Sequence, residues 1–141
     1  MLVAALLALA VAFVGYLALG MPGMDHSSED ASGMDHAMDV PTSLSPEQFS
    51  ARVERAEGLV VNVHVPDEGS IPGTDTAIPY DTIVGDDRLP SDLAAPILLY
   101  CRTGRMSEVA ERALLDAGFT DVSHLDGGME AWQRSGRSLG I

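Results

Sequence analysis

Lysine is absent from this 141-residue sequence, and its eight basic side chains, all arginine, are set against 21 carboxylic acids for a formal net charge of −13. So little positive charge argues against a nucleic-acid partner, because gripping a polyanion takes clustered cations. It argues equally against an electrostatic hold on anionic lipid. The acidity itself serves solubility. Cysteine occurs once, at Cys101. One thiol cannot close an internal disulfide or form a Cys-x-x-Cys redox pair. Its position far from the N-terminal apolar run also rules out a lipoprotein anchor at that run.

Long apolar runs are scarce too. The one that could cross a bilayer is "LVAALLALAVAFVGYLALG" at residues 2–20. No basic residue precedes it, whereas a secretory signal normally opens with positive charge; Ala18 and Gly20 nevertheless have cleavage-site spacing. Residues 1–20 are therefore expected to be either a cleaved signal peptide or an uncleaved membrane anchor, and both place the remainder outside the cytoplasm. Any membrane contact is expected through this segment only. Residues 21–44, rich in Met, Asp, His and Ser, bury too little surface to offset ordering and are expected to form a disordered linker. The echo Met24-Asp25-His26 and Met34-Asp35-His36 supplies copper-ligand types, but with two histidines and no fixed geometry it reads first as an acidic tether.

One domain's worth of chain remains, residues 45–141. Ser45, Pro46 and Gln48 spell a capping-box start, Phe49, Val53 and Ala56 share a helical face, and Gly58 can end that helix. The β-branched run 59–65 reads as a buried strand. The Gly/Pro/Asp-punctuated stretch to about residue 83 reads as an irregular connection with one brief strand, and "SDLAAP" as a helical turn. Strand 97–100, helix 108–119, strand 121–125 and a last short helix over 127–136 follow. Strands and helices alternating at this spacing predict α/β architecture with a parallel sheet, whose ligand crevice lies beyond the carboxyl ends of the strands. Cys101 is the first residue past such an end.

The loop after it, Arg102-Thr103-Gly104-Arg105-Met106-Ser107, collects groups that favour an anion. Two guanidiniums add positive field, and Gly104 permits a tight turn whose N–H groups can form a nest. Ser107 is read as the N-cap of the next helix, whose dipole end faces the thiol. A cysteine phosphatase would need Cys-x5-Arg, and the residue six past Cys101 is Ser107. Sulfur transfer fits better: the Cys101 thiolate takes the outer sulfur of a donor, holds it as a persulfide, and passes it to a thiophilic acceptor, all with one cysteine.

"LLYCRTGRMSEVAERALLDAGFTDVSHLDGGMEAW" resembles the active-site half of the rhodanese (sulfurtransferase) family, in its strand into Cys-Arg-x-Gly, its "AGFTDV" and its closing "LDGGMEAW". The resemblance spans about residues 45–137. It implies a five-stranded parallel sheet flanked by helices on both faces, Cys101 as persulfide carrier, residues 101–106 as its cradle, no cofactor and no metal. It also implies a small sulfur donor such as thiosulfate and a thiol or cyanide-like acceptor. The first half departs from the family pattern: Asn62-Val63-His64 stands where Asp-Val-Arg is usual, and Ser70-Ile71-Pro72-Gly73-Thr74 where His-Ile-Pro-Gly-Ala is usual. Met106 occupies a loop position that is often basic. A catalytically weak rhodanese-like module that binds a partner or metal is the alternative these departures keep open. His64 is read as structural, His124 as packed or edge-exposed, Met129 and Trp132 as core, and Asp67, Glu68, Asp75 and Asp81 as turn and cap residues.

Overall fold

The computed structural model describes residues 42–140. The apolar run and nearly all of the Met/Asp/His tract lie outside the described residues. Five strands form one all-parallel sheet: β1 (Ser43–Leu44), β2 (Leu59–Asn62), β3 (Thr76–Ala77), β4 (Ile97–Tyr100) and β5 (Val122–Leu125), in the order β1-β5-β4-β2-β3. Helices α1 (Pro46–Glu54), α2 (Arg105–Asp116) and α3 (Gly128–Arg134) connect and cover it.

The central strands alternate their burial between two apolar layers. Val61, Ile97 and Leu99 face Ala110 and Leu114 of α2. Val60, Leu98 and Tyr100 face the other way, onto Phe49 of α1 and Met129 and Trp132 of α3. That both faces are covered explains why the strand sequences are apolar at nearly every position. Tyr100 also ties the sheet to the connection between β2 and β3: its hydroxyl accepts from the Ile71 N–H at 3.1 Å and shares a hydrogen bond with Thr74 at 2.7 Å. Burial raises this phenol's pKa above its ordinary value.

Four local expectations change. Ser43 and Leu44, assigned to the linker, form the edge strand β1 on β5, so the folded unit starts before Ser45. The capping box at Ser45 and Gln48 is present, but α1 ends at Glu54, not at Gly58. Ala56 takes the left-handed turn (φ 52°), with Glu57 N–H on the Arg52 carbonyl and Ala56 N–H on the Val53 carbonyl. Gly58 instead sits where a Cβ would come within 2.6 Å of the Pro96 carbonyl oxygen. The run 59–65 pairs regularly only to Asn62, whose carboxamide accepts from His64 N–H and donates to the Gly69 carbonyl. "SDLAAP" is a turn closed by the Asp92 carboxylate on Ala94 N–H, not a helix.

Candidate active site

β2 and β4 are neighbours, yet the chain leaves β2 toward β3 and leaves β4 toward β5. Connections departing in opposite directions open a crevice beyond the carboxyl ends of these two strands. Cys101, next after β4, and His64, two residues past β2, both border it. The resulting cavity measures about 330 Å³ and is lined by Cys101, Arg102, Thr103, Arg105 and Met106 with His64, Tyr80 and Val109.

The loop is built from both sides. Two N–H groups at the start of α3, those of Met129 and Glu130, donate to the carbonyls of Cys101 and Arg102 at 2.9 and 3.0 Å. Gly128 makes this approach possible, since at its φ of 59° a Cβ would lie 2.4 Å from the Cys101 carbonyl oxygen. With these carbonyls held by α3, the Gly104 N–H donates to the Cys101 sulfur at 3.1 Å. Gly104 achieves this in the left-handed conformation (φ 98°) and is itself the N-cap of α2. Ser107 is therefore not the cap. It lies in the first turn of α2, fully buried, where its hydroxyl donates to the Gly104 carbonyl at 2.9 Å and also lies 3.6 Å from the sulfur. One hydroxyl proton can serve only one of these at a time. Cys101 itself is 1% exposed and packs on the α2 core layer, so the cavity is its access to solvent.

The two loop arginines do not act alike. Arg102 is pinned: its Nη1 donates to both Glu68 carboxylate oxygens at 3.0 and 3.2 Å and its Nε to Glu130 at 3.1 Å. The Glu130 hydrogen bond and the charge of Glu68 raise its pKa above the ordinary arginine value. Glu68 also meets His64 Nε2 at 2.6 Å, so it is no simple turn residue. Arg105, by contrast, is exposed and has no ion pair among the described residues. The other seven arginines each have a carboxylate within 4.0 Å. In so acidic a protein, one unpaired guanidinium at a thiol-bearing cavity is a distinctive feature.

The sequence reading missed Glu68 and Glu130, which reach Arg102 from 34 and 28 residues away. It also missed the partner of His124: Nδ1 pairs with Glu111 of α2, in a contact almost closed to solvent. Met129 and Trp132 lie in the core, 3% and 5% exposed.

Comparison with known proteins gives a consistent set. The family model for the rhodanese-like domain matches residues 45–135. A thiosulfate sulfurtransferase (GlpE) of Pseudomonas entomophila is 37% identical over 92 residues, 64% of this chain and 83% of that one. A chloroplastic rhodanese-like domain-containing protein of Arabidopsis thaliana is 33% identical over 109 residues, 68% of this chain but 59% of that longer protein. Among solved structures, a rhodanese-like domain protein of Staphylococcus aureus superposes with a TM-score of 0.57 at 27% identity, covering 71% of this chain and 97% of that one.

Proposed function

The chain belongs to the rhodanese-like domain family, and on that premise we propose that it transfers sulfane sulfur from a thiosulfate-type donor to a thiol or cyanide-like acceptor through a persulfide on Cys101. The Cys101 thiolate attacks the outer sulfur of the donor. The donor's sulfur–sulfur bond breaks, its electron pair leaves with sulfite, and the outer sulfur stays on the enzyme as Cys101–S–S⁻. An acceptor thiolate then attacks that terminal sulfur, and the Cys101 thiolate is returned. Two protein groups support the Cys101 thiolate, both as it attacks and as it leaves: the Gly104 N–H, aimed at the sulfur, and the Ser107 hydroxyl, which can turn from the Gly104 carbonyl toward it. Arg105 supplies field at the cavity mouth, whereas the charge of Arg102 is spent on Glu68 and Glu130.

The observation that carries this reading is the Gly104 N–H on the Cys101 sulfur at the floor of an open cavity. Intact mass before and after incubation with thiosulfate tests it. A gain of about 32 Da is expected, reversed by reduced thiol and absent in Cys101→Ser. No gain from any donor, with Cys101 still alkylating, would favour the binding-module reading instead. The location outside the cytoplasm rests on the apolar run at residues 2–20, and protease accessibility in fractionated cells tests it separately.

A further inference from the structure

We propose that His64 is the catalytic base of the acceptor half of the reaction, its Nδ1 taking the proton of a neutral thiol that enters the cavity beside Cys101. The inference rests on the sulfur-transfer reading above and adds the residue that makes the attacking thiolate.

The tautomer of the ring follows from its neighbours. Both oxygens of Glu68 accept from Arg102 Nη1, at 3.0 and 3.2 Å, so Glu68 is a carboxylate and can only accept. His64 Nε2, 2.6 Å from Glu68 Oε2, therefore carries the proton of that contact. In the neutral ring this leaves Nδ1 as a bare lone pair. Nδ1 is buried and has no hydrogen-bond partner among the described residues, in a side chain 9% exposed that lines the cavity together with Cys101. A buried polar atom that no group of the protein satisfies is available to a ligand. Once Nδ1 takes a proton, the ring is an imidazolium already held to a carboxylate, which favours the charged form. The arginine usual at this position in the family has no lone pair to offer.

Charge gives the site a use for such a base. The chain carries −13, and Glu68 and Glu130 stand at the cavity mouth. A thiolate formed in solution is repelled by these carboxylates and again by the persulfide anion that it must attack. A neutral thiol meets neither barrier, and ordinary thiols, with a pKa of about 8.5, are mostly protonated at neutral pH.

Inside the cavity R–SH passes its proton to His64 Nδ1, and the R–S⁻ so formed attacks the terminal sulfur of Cys101–S–S⁻. The bond between that sulfur and the Cys101 sulfur breaks, and its electron pair returns to Cys101 as the thiolate. The product R–S–S⁻ takes the proton back from the imidazolium and leaves as R–S–SH. The site begins and ends with one anionic sulfur and a neutral ring, and no further reactant is needed.

The test loads Cys101 of the full chain with thiosulfate, removes the donor, and follows loss of the added sulfur by intact mass. The acceptors are ethanethiol and 2,2,2-trifluoroethanethiol, which are alike in shape. At a pH between their pKa values the first arrives as thiol and the second largely as thiolate. His64→Gln should slow transfer to ethanethiol about 100-fold and transfer to trifluoroethanethiol less than about fivefold. Glu68→Gln removes the counter-charge of the imidazolium and one carboxylate of the mouth, so it should slow the ethanethiol reaction and speed the trifluoroethanethiol one. If His64→Gln slows both acceptors equally or neither, or if Glu68→Gln moves both in the same direction, the assignment of His64 is overturned while sulfur loading leaves sulfur transfer standing. If no donor loads sulfur although Cys101 alkylates, the sulfur-transfer reading itself falls.

Discussion

Two glutamates each hold a histidine in this molecule, and the two pairs do different work. At the cavity mouth Glu68 meets His64 four residues earlier in the chain and takes Arg102 as well, with its own side chain 38% exposed. Behind helix α2, Glu111 meets His124 of β5 with side chains only 6% and 12% exposed, and one Glu111 carboxylate oxygen is buried with no hydrogen-bond partner. The His64 ring is itself only 9% exposed, with its Nδ1 buried and unpartnered, but solvent reaches the Glu68 and Arg102 ends of the first group and screens their charges. The second is nearly closed to solvent, and among the described residues the two side chains pair only with each other, so its integrity belongs to the fold.

The sharpest way to break this contrast is to remove one histidine at a time. His124→Ala strands the Glu111 carboxylate between α2 and β5 and should cost about 3–5 kcal/mol in chemical denaturation, whereas His64→Ala leaves Glu68 38% exposed and still on Arg102 and should cost about 1–2, chiefly the packing of the buried ring. Replacing both buried partners, Glu111→Leu with His124→Leu, should recover most of the loss, because an apolar pair leaves no unpaired buried group. Equal losses for the two single histidine variants would show that the mouth is as structural as the buried pair.

Gly128→Ala probes the scaffold beneath the mouth. Its Cβ would meet the Cys101 carbonyl at 2.4 Å and the Arg102 carbonyl at 2.5 Å, both backbone atoms that side-chain rotation cannot move aside. The loop has to shift away from α3, loosening the aim of the Gly104 N–H at the sulfur. A loss of about 1–3 kcal/mol in stability is expected, with a fall of about 100-fold in the rate of sulfur loading at saturating donor. A variant that loses the stability but keeps the rate would mean that α3 supports the fold without positioning the thiol.

How much of this was legible beforehand follows the range of the interactions. The capping box of Ser45 and Gln48 closes within four residues, and the apolar runs at 59–62 and 97–100 report burial on both faces of a sheet, so α1, β2 and β4 could be read directly. Cys101 stood out because a strand end, a glycine and two arginines are adjacent in sequence. The two-residue strand β1 exists only through its pairing with β5, some 80 positions on, and carries no signal of its own. Ser107 looked like a cap because serine usually is one, but Gly104 takes the left-handed conformation three residues earlier and starts α2 there. Above all, the sequence places two arginines beside the thiol without revealing that Glu68 and Glu130 are folded onto only one of them.

That asymmetry supplies the gentlest test of the comparison. Glu68→Gln keeps the shape of the side chain and removes the charge that faces Arg102 and His64. As an exposed group it should change stability by no more than about 1 kcal/mol. Arg102 would keep Glu130 as its carboxylate partner, but the mouth would lose one of its two negative charges, so the rate constant for sulfur loading by thiosulfate should rise several-fold at low salt. Raising ionic strength to about 0.5 M should erase most of the gain, because the screening length falls to about 4 Å. The effect on a monoanionic thiosulfonate should be smaller, since the added field acts on one charge instead of two. A gain that survives high salt, or one equal for both donors, would mean that Glu68 acts through the shape of the loop and not through its charge, and the mouth would then resemble the buried pair after all.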